Sequence, residues 1–297
     1  MRIGVVIVAV AAVAAVGAVA LALAPSSERE LRHLNWSIAN ARAAAPQPPR
    51  QSRDRDRRHR KVPTAAALRD AAAYAGRRDG IVAFAVLNTE GKLRGRRMGR
   101  LFPAASTVKA MLLAAEVQRL EREHQPLDEE TESLLRSMIT YSDNDAADAI
   151  YARFGDAGMF RIARQAGMDR FTEAGHWGNA QIDAADLARL HWSMQALVDG
   201  PHRVFGLGLL GSVIAEQSWG IPEAARPKWS VRFKGGWLPD RALVHQGAEL
   251  RADGRRLSIG VLTDEQPSFE YGTETVRGVA ARLLSGSRDR GSRRGGA

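Results

Sequence analysis

Apolar positions along the chain fall into four zones. Ile3 to Ala24 is an uninterrupted apolar run, residues 25–63 lack a sustained pattern, residues 64–284 carry periodic patterns, and residues 285–297 are mostly Gly, Ser and Arg. In the third zone, Thr64 to Gly76 reads as a helix opened by Pro63-Thr64. Ile81 to Leu87 is a β-rich run, followed by turn residues Asn88 to Gly91 and a second run near Leu93 to Met98, which is a hairpin signal. Ser106 stands at the head of a helix whose apolar positions continue from Met111 to Val117. Further helices are expected near Asp128–Thr140, Asp145–Phe154, Gly158–Gln165 and Asp183–Val198. Trp229 to Phe233, Ala242 to Leu250 and Leu257 to Leu262 read as strands, and Thr273 to Leu284 as a closing helix. Strands come from both ends of the zone with helices between them. That order predicts an α+β domain over residues 64–284: an antiparallel five-stranded sheet flanked by helices, with an inserted all-α lobe.

The ends of the chain are of a different kind. Ile3 to Ala24 is long enough to cross a bilayer as a helix and longer than most signal-peptide cores. It reads as a transmembrane anchor or signal segment, with the retained anchor preferred. Small-x-small sites occur at Ala20-Leu21-Ala22 and Ala22-Leu23-Ala24, and Pro25 follows the second. Residues 25–63 read as a basic stalk, Pro- and Arg-rich after Ala44, which cannot build a core. Residues 285–297 are expected to be a disordered tail.

Charge narrows the partners. The net charge of the 297-residue chain is +10, and part of the excess sits in the run Arg53 to Lys61 and in Arg288, Arg290, Arg293 and Arg294. No aromatic residues interleave with these arginines and no nucleic-acid motif accompanies them. The runs therefore read as solvated segments near an anionic polymer or lipid surface, with no nucleic acid as partner. The chain has no cysteine, so disulfides and cysteine-ligated metals are excluded. His176, His191 and His245 show no metal-ligand spacing, and no metal or cofactor is expected. His245, on a predicted strand, reads as structural.

Three small motifs carry candidate chemistry. Ser106 and Lys109 stand at i and i+3, on one helix face. A serine hydroxyl is a weak nucleophile until a base takes its proton, and a partly desolvated lysine can be that base. Only five lysines occur, against 38 arginines, and a guanidinium cannot act as a base at neutral pH. Ser142-Asp143-Asn144 lies between two predicted helices. It reads as an N-cap cluster, or as a hydroxyl relay with an amide for a ligand. Lys234-Gly235-Gly236 ends the run Trp229–Phe233. It reads as a glycine turn, or as a cation for a carboxylate beside backbone that a ligand approaches closely.

Ser-x-x-Lys, Ser-Asp-Asn and Lys-x-Gly in this order resemble the class A β-lactamases and penicillin-binding proteins. Phe102-Pro103-Ala104-Ala105-Ser106 and Ser142-Asp143-Asn144-Asp145-Ala146-Ala147 extend the likeness, which covers roughly residues 64–284. The resemblance implies a β-lactamase/transpeptidase-like fold and a serine hydrolase outside the cytoplasm, acting on a small molecule or a peptidoglycan peptide, as a monomer. It implies that Ser106 forms an acyl-enzyme, Lys109 activates it and Ser142 passes a proton to the leaving nitrogen. It also implies that Asn144 binds the substrate amide, Lys234 with Gly235 and Gly236 receives its carboxylate, and the backbone N–H groups of Ser106 and Trp237 form the oxyanion hole. β-Lactam hydrolysis is the activity implied first. A D-alanyl-D-alanine peptidase or penicillin-binding role, or a catalytically weak cell-wall-binding protein, are the alternatives.

The sequence departs from that family in four places. The usual Glu-x-x-Leu-Asn is absent, and Glu173, in Asp169-Arg170-Phe171-Thr172-Glu173, is the one candidate for the deacylating carboxylate. Gly235 stands where a hydroxyl residue is usual. Trp237 puts a bulky side chain on the substrate strand. The stretch from Lys109 to Ser142 is short, so part of the helical lobe is expected to be missing.

Overall fold

Local signals in the sequence start and stop the elements of the computed structural model, which describes residues 63–285. The apolar segment, nearly all of the stalk and the C-terminal tail lie outside the described residues. No helix among the described residues is long and apolar enough to cross a membrane.

Helix α1 (Ala65–Gly76) is opened by the Thr64 hydroxyl, which accepts from the Ala67 N–H at 3.1 Å. Ala67, Ala71 and Ala75 line its buried face at helical spacing. Strands β1 (Ile81–Asn88) and β2 (Leu93–Arg96) form the expected hairpin. The Asn88 side chain closes it by accepting from the N–H groups of Glu90 and Lys92. Strands β3 (Phe102–Pro103) and β4 (Gln181–Ile182) pair separately.

The helical lobe comprises α2 (Lys109–Arg122), α3 (Glu129–Arg136), α4 (Asn144–Tyr151), α5 (Gly155–Ala166), α6 (Ala184–Leu197) and α7 (Arg203–Leu209). After the short α8 (Ile221–Ala225) come β5 (Ser230–Leu238), β6 (Leu243–Ala252), β7 (Arg255–Asp264) and the closing α9 (Phe269–Leu284). The main sheet has the order β2-β1-β7-β6-β5, with every pairing antiparallel. Strands from both ends of the domain thus share one sheet, and β5 is left at its edge.

Two apolar clusters sandwich the sheet. Val82, Phe84 and Val86 of β1 face the same cluster as Val276, Val279 and Leu283 of α9. Ala83 and Ala85, on the other face, join the helical lobe. This two-sided burial explains why β1 reads as a continuous apolar run. At the centre of the lobe, α2 is buried along nearly its whole length, with Ala110 to Ala115 fully shielded.

Three expectations need correction. The helix begins at Lys109, because Ala105–Val108 is a separate 3₁₀ turn that holds Ser106. The strand expected to end at Phe233 continues to Leu238, because β6 pairs with it throughout, as in Lys234↔Gly247 and Gly236↔His245. Lys234, Gly235, Gly236 and Trp237 are therefore strand residues and not a turn. The helix expected over Asp128–Thr140 gives way at Ser137 to a π turn, Ser137–Tyr141. Helices α7 and α8 were not foreseen, since each is short and glycine or proline interrupts its pattern. Truncating Leu113 to Ala in the middle of α2 is expected to destabilise the domain by about 2–5 kcal/mol, measured by urea denaturation.

Candidate functional site

Several contacts place the turn that carries Ser106. The Ala104 N–H donates to the Ala180 carbonyl at 2.8 Å, which ties the end of β3 to the start of β4. His245 is fully buried on β6. Its Nδ1 accepts from the Thr263 N–H at 3.1 Å, so its Nε2 donates to the Pro103 carbonyl at 3.0 Å. Burial pushes this imidazole down to about 4, which keeps it neutral and structural, as the sequence suggested. Ala105 has φ +48°, the left-handed region that a residue with a Cβ rarely adopts. The strained residue directly precedes Ser106.

Strand β5 runs hard against this turn. A Cβ on Gly236 would lie 2.7 Å from the Ser106 nitrogen and 2.8 Å from that of Thr107. Only glycine permits that approach, and it brings the Gly236–Trp237 peptide alongside Ser106.

Two lysines converge on Ser142. Lys109, from the first turn of α2, and Lys234, from β5, are both fully buried. Lys109 Nζ donates to the Ser142 carbonyl at 2.5 Å and to Asn144 Oδ1 at 2.7 Å, and lies 3.5 Å from Ser142 Oγ. Lys234 Nζ donates to Ser142 Oγ at 2.9 Å and to the Gly235 carbonyl at 3.1 Å. Burial lowers Lys109 to about 8, against the attraction of Asp143 and then Asp148. Burial and the neighbouring Lys109 hold Lys234 well below its ordinary value.

The backbone of the second motif makes this possible. Ser142 ends the π turn in the left-handed region, φ +63°. Asp143 then caps α4, accepting from the Ala146 N–H at 3.0 Å and from Ser137 Oγ at 2.8 Å. The capping reading of Ser142-Asp143-Asn144 thus falls on Asp143, which leaves the Ser142 hydroxyl and the Asn144 amide beside the lysines. Asn144 Oδ1 accepts from Lys109, which leaves its NH₂ to donate.

Gly235 faces the opposite side of β5. A Cβ there would lie 3.3 Å from the Trp219 ring, so Trp219 fills the space in front of it. Trp237 follows on the same face, with its ring centroid 6.3 Å from that of Trp219 and 6.4 Å from that of Phe269. The bulk expected of Trp237 is thus absorbed by an aromatic cluster at the edge of the sheet.

The loop between α5 and β4 carries Glu173, which is half-buried. Burial, then the Asp156 carboxylate, push its carboxyl up to about 7. No group lies in hydrogen-bond geometry with either oxygen, although the Tyr151 hydroxyl is near enough to act on it. That hydroxyl donates to Asp156 Oδ1. Trp177, in the same loop, covers Lys109, with Nζ 5.0 Å from its ring centroid. Contacts continue from Trp177 to His176 at 5.3 Å between centroids, and from His176 to Tyr151 at 5.7 Å. The aromatic chain thus runs from Lys109 to Tyr151, the residue that influences Glu173.

The structure joins Lys109, Ser142, Asn144 and Lys234 by hydrogen bonds and sets the Ser106 backbone against Gly236, but among the described residues no hydrogen bond joins the Ser106 hydroxyl to either lysine. Gly235 and Trp237 lie on the far face of the strand, and Glu173 makes no hydrogen bond to the site. Trp177, Asp148 and Trp219 carry no motif and were missed. Among the described residues there is no group of side chains fit to hold a metal ion.

A sequence model of the Beta-lactamase enzyme family matches residues 129–286. No curated protein matches the chain. Among solved structures, a beta lactamase from Burkholderia vietnamiensis is 20% identical with a TM-score of 0.67, over 77% of this chain and 98% of that one. A beta-lactamase from Sphaerobacter thermophilus is 16% identical with a TM-score of 0.65, over 75% of this chain and 97% of that one. PBP-A is 17% identical with a TM-score of 0.65, over 76% of this chain and 98% of that one. At these identities the neighbours establish the fold alone. Within the site, Gly236→Ala is expected to cost about 1–3 kcal/mol by forcing the Ser106 turn away from β5, read from the urea midpoint.

Proposed function

We propose that this chain, which belongs to the Beta-lactamase enzyme family, is a serine hydrolase that forms an acyl-enzyme on Ser106 with β-lactams or related amides. The observation that carries this reading is the meeting of Lys109 and Lys234 at Ser142. Lys109, depressed to about 8 by burial and three residues beyond Ser106 in the chain, would take the Ser106 proton near neutral pH. Ser142 Oγ accepts from Lys234, so its own proton would go to the leaving nitrogen as the amide C–N bond breaks, and the proton Lys109 took from Ser106 would replace it across the 3.5 Å from Nζ to Ser142 Oγ. The Ser106 and Trp237 N–H groups would stabilise the oxyanion, in a turn whose geometry Gly236 preserves. The Asn144 NH₂ would hold the substrate amide. Lys234 would attract a carboxylate, with no hydroxyl from Gly235 to help it. β5, as an edge strand, offers free backbone groups to an extended amide substrate.

A second reading is a D-alanyl-D-alanine peptidase or penicillin-binding enzyme that releases its acyl group slowly. It is favoured by the cover over Lys109, which is the Trp177 ring and not a carboxylate. In either reading the domain would work outside the cytoplasm, on a small molecule or a cell-wall peptide, tethered or exported by Ile3–Ala24, and as a monomer.

A fluorescent penicillin tests this. Wild-type protein is expected to carry the label on Ser106, and Ser106→Ala none at all; an unlabelled wild type with an intact fold overturns the nucleophile. Lys109→Met is expected to slow acylation on the order of 10²–10⁴-fold. The acylation rate should rise with pH and level off above about 8, because Lys109 acts as a base only when neutral. Turnover of the adduct separates the two readings: rapid release supports the β-lactamase, and a long-lived adduct the penicillin-binding enzyme. Glu173→Gln is expected to slow release if Glu173 activates the hydrolytic water, and unchanged release ends that role.

A further inference from the structure

Lys109 is enclosed on all sides by identifiable groups. From α4 and the residue before it come Asn144, Asp143 and Asp148. From β5 comes Lys234, a like charge. The loop before β4 contributes Trp177, whose ring lies 5.0 Å from Nζ. Trp177 is only 7% exposed, in a loop otherwise rich in exposed residues. Its Nε1 donates to Asp148 Oδ1 at 2.6 Å. His176 Nε2 stands 3.0 Å from the same oxygen, and its Nδ1 accepts from the Gly178 N–H at 3.0 Å. One carboxylate oxygen of α4 therefore holds two adjacent residues of the loop, and the loop's end is tied to the Ser106 turn through Ala104 and Ala180.

We propose that Trp177 is a positioning residue for Lys109: latched by Asp148, its ring shuts water out from the amine and keeps it aimed at Ser142, and releasing the latch rehydrates the amine and slows acylation of Ser106. The slower acylation rests on the reading of Ser106 as nucleophile; the rehydration does not.

The sign of the effect follows from the forces on Lys109. Burial acts more strongly on it than the attraction of Asp143 or Asp148. Opening the cover relieves that burial, so the lysine holds its proton to higher pH. The ring also attracts the ammonium, and losing that attraction acts the other way, but water readmitted to the cavity replaces it. Neutralising Asp148 while keeping an oxygen acceptor for Trp177 removes only an attractive charge, so the lysine gives up its proton at lower pH. Opposite shifts from two residues in one hydrogen bond distinguish this arrangement from a merely structural contact.

The experiment is a pH titration of the lysine side chains by nitrogen-resolved NMR in the full chain. With five lysines in the sequence, the Lys109 signal is assigned by its loss in Lys109→Arg. Trp177→Ala is expected to raise the Lys109 midpoint by roughly one pH unit, and Asp148→Asn to lower it. Trp177→Phe, which keeps a ring but cannot donate to Asp148, is expected to lie between wild type and Trp177→Ala, and it carries the test if the alanine variant does not fold. An unchanged or lowered midpoint in the folded Trp177 variants overturns the proposal. The pH profile of labelling by the fluorescent penicillin should move the same way. Failure of wild-type protein to label defeats the nucleophile reading alone, since the lysine titration needs no substrate.

Discussion

Two lysine amines buried against one serine are the constraint around which the site is built. An isolated charge in a protein interior is costly, and Lys109 and Lys234 are both fully shielded. Among the described residues, neither makes a direct ion pair. Their protons go instead to neutral acceptors: the Ser142 carbonyl and hydroxyl, Asn144 Oδ1 and the Gly235 carbonyl. Such acceptors hold an amine without fixing its charge, so each lysine can exist neutral. A carboxylate in their place would favour the ammonium and remove the base. The nearest acids act only from a distance, and Asp143 is itself occupied in capping α4.

Much of the surrounding architecture keeps those acceptors in place. Ser142 has to leave the helical path in the left-handed region for its carbonyl to face Lys109, and the π turn before it achieves this. β5 has to pass within contact of the Ser106 turn, and Gly236 achieves that. The turn is anchored from behind by His245, neutral because it is buried and because Thr263 donates to its ring. These are small local departures from regular structure. The packing of α2 through the middle of the lobe and of β6 along the whole of β5 holds them.

The loop before β4 is where this chain differs most from what its motifs imply. The candidate carboxylate there, Glu173, feels Tyr151 and Asp156, and Tyr151 ends an aromatic chain that begins over Lys109. Asp156 also accepts from the Gly175 N–H, so the loop is held by acids on α4 and α5. On the other side of β5, Trp219 takes the space that a hydroxyl residue at position 235 would use.

The sequence alone determined the alternation of strands and helices, the hairpin of β1 and β2, and the order of the three motifs. Each of these depends on short-range periodicity or on residues within four positions of one another. Ser106 with Lys109, and Asp143 as cap of α4, were legible for that reason. Only the tertiary structure decided that Lys234 lies inside a strand, because β6 supplies the pairing from residues 243–252. It decided the start of α2, because the strained Ala105 is held by contacts distant in sequence. It decided that Trp177 covers Lys109 and Trp219 covers Gly235, contacts between residues 68 and 16 positions apart that no local pattern records. Chemistry that resides in a motif can be read along the chain, whereas the dryness and charge of a buried amine depend on what folds over it.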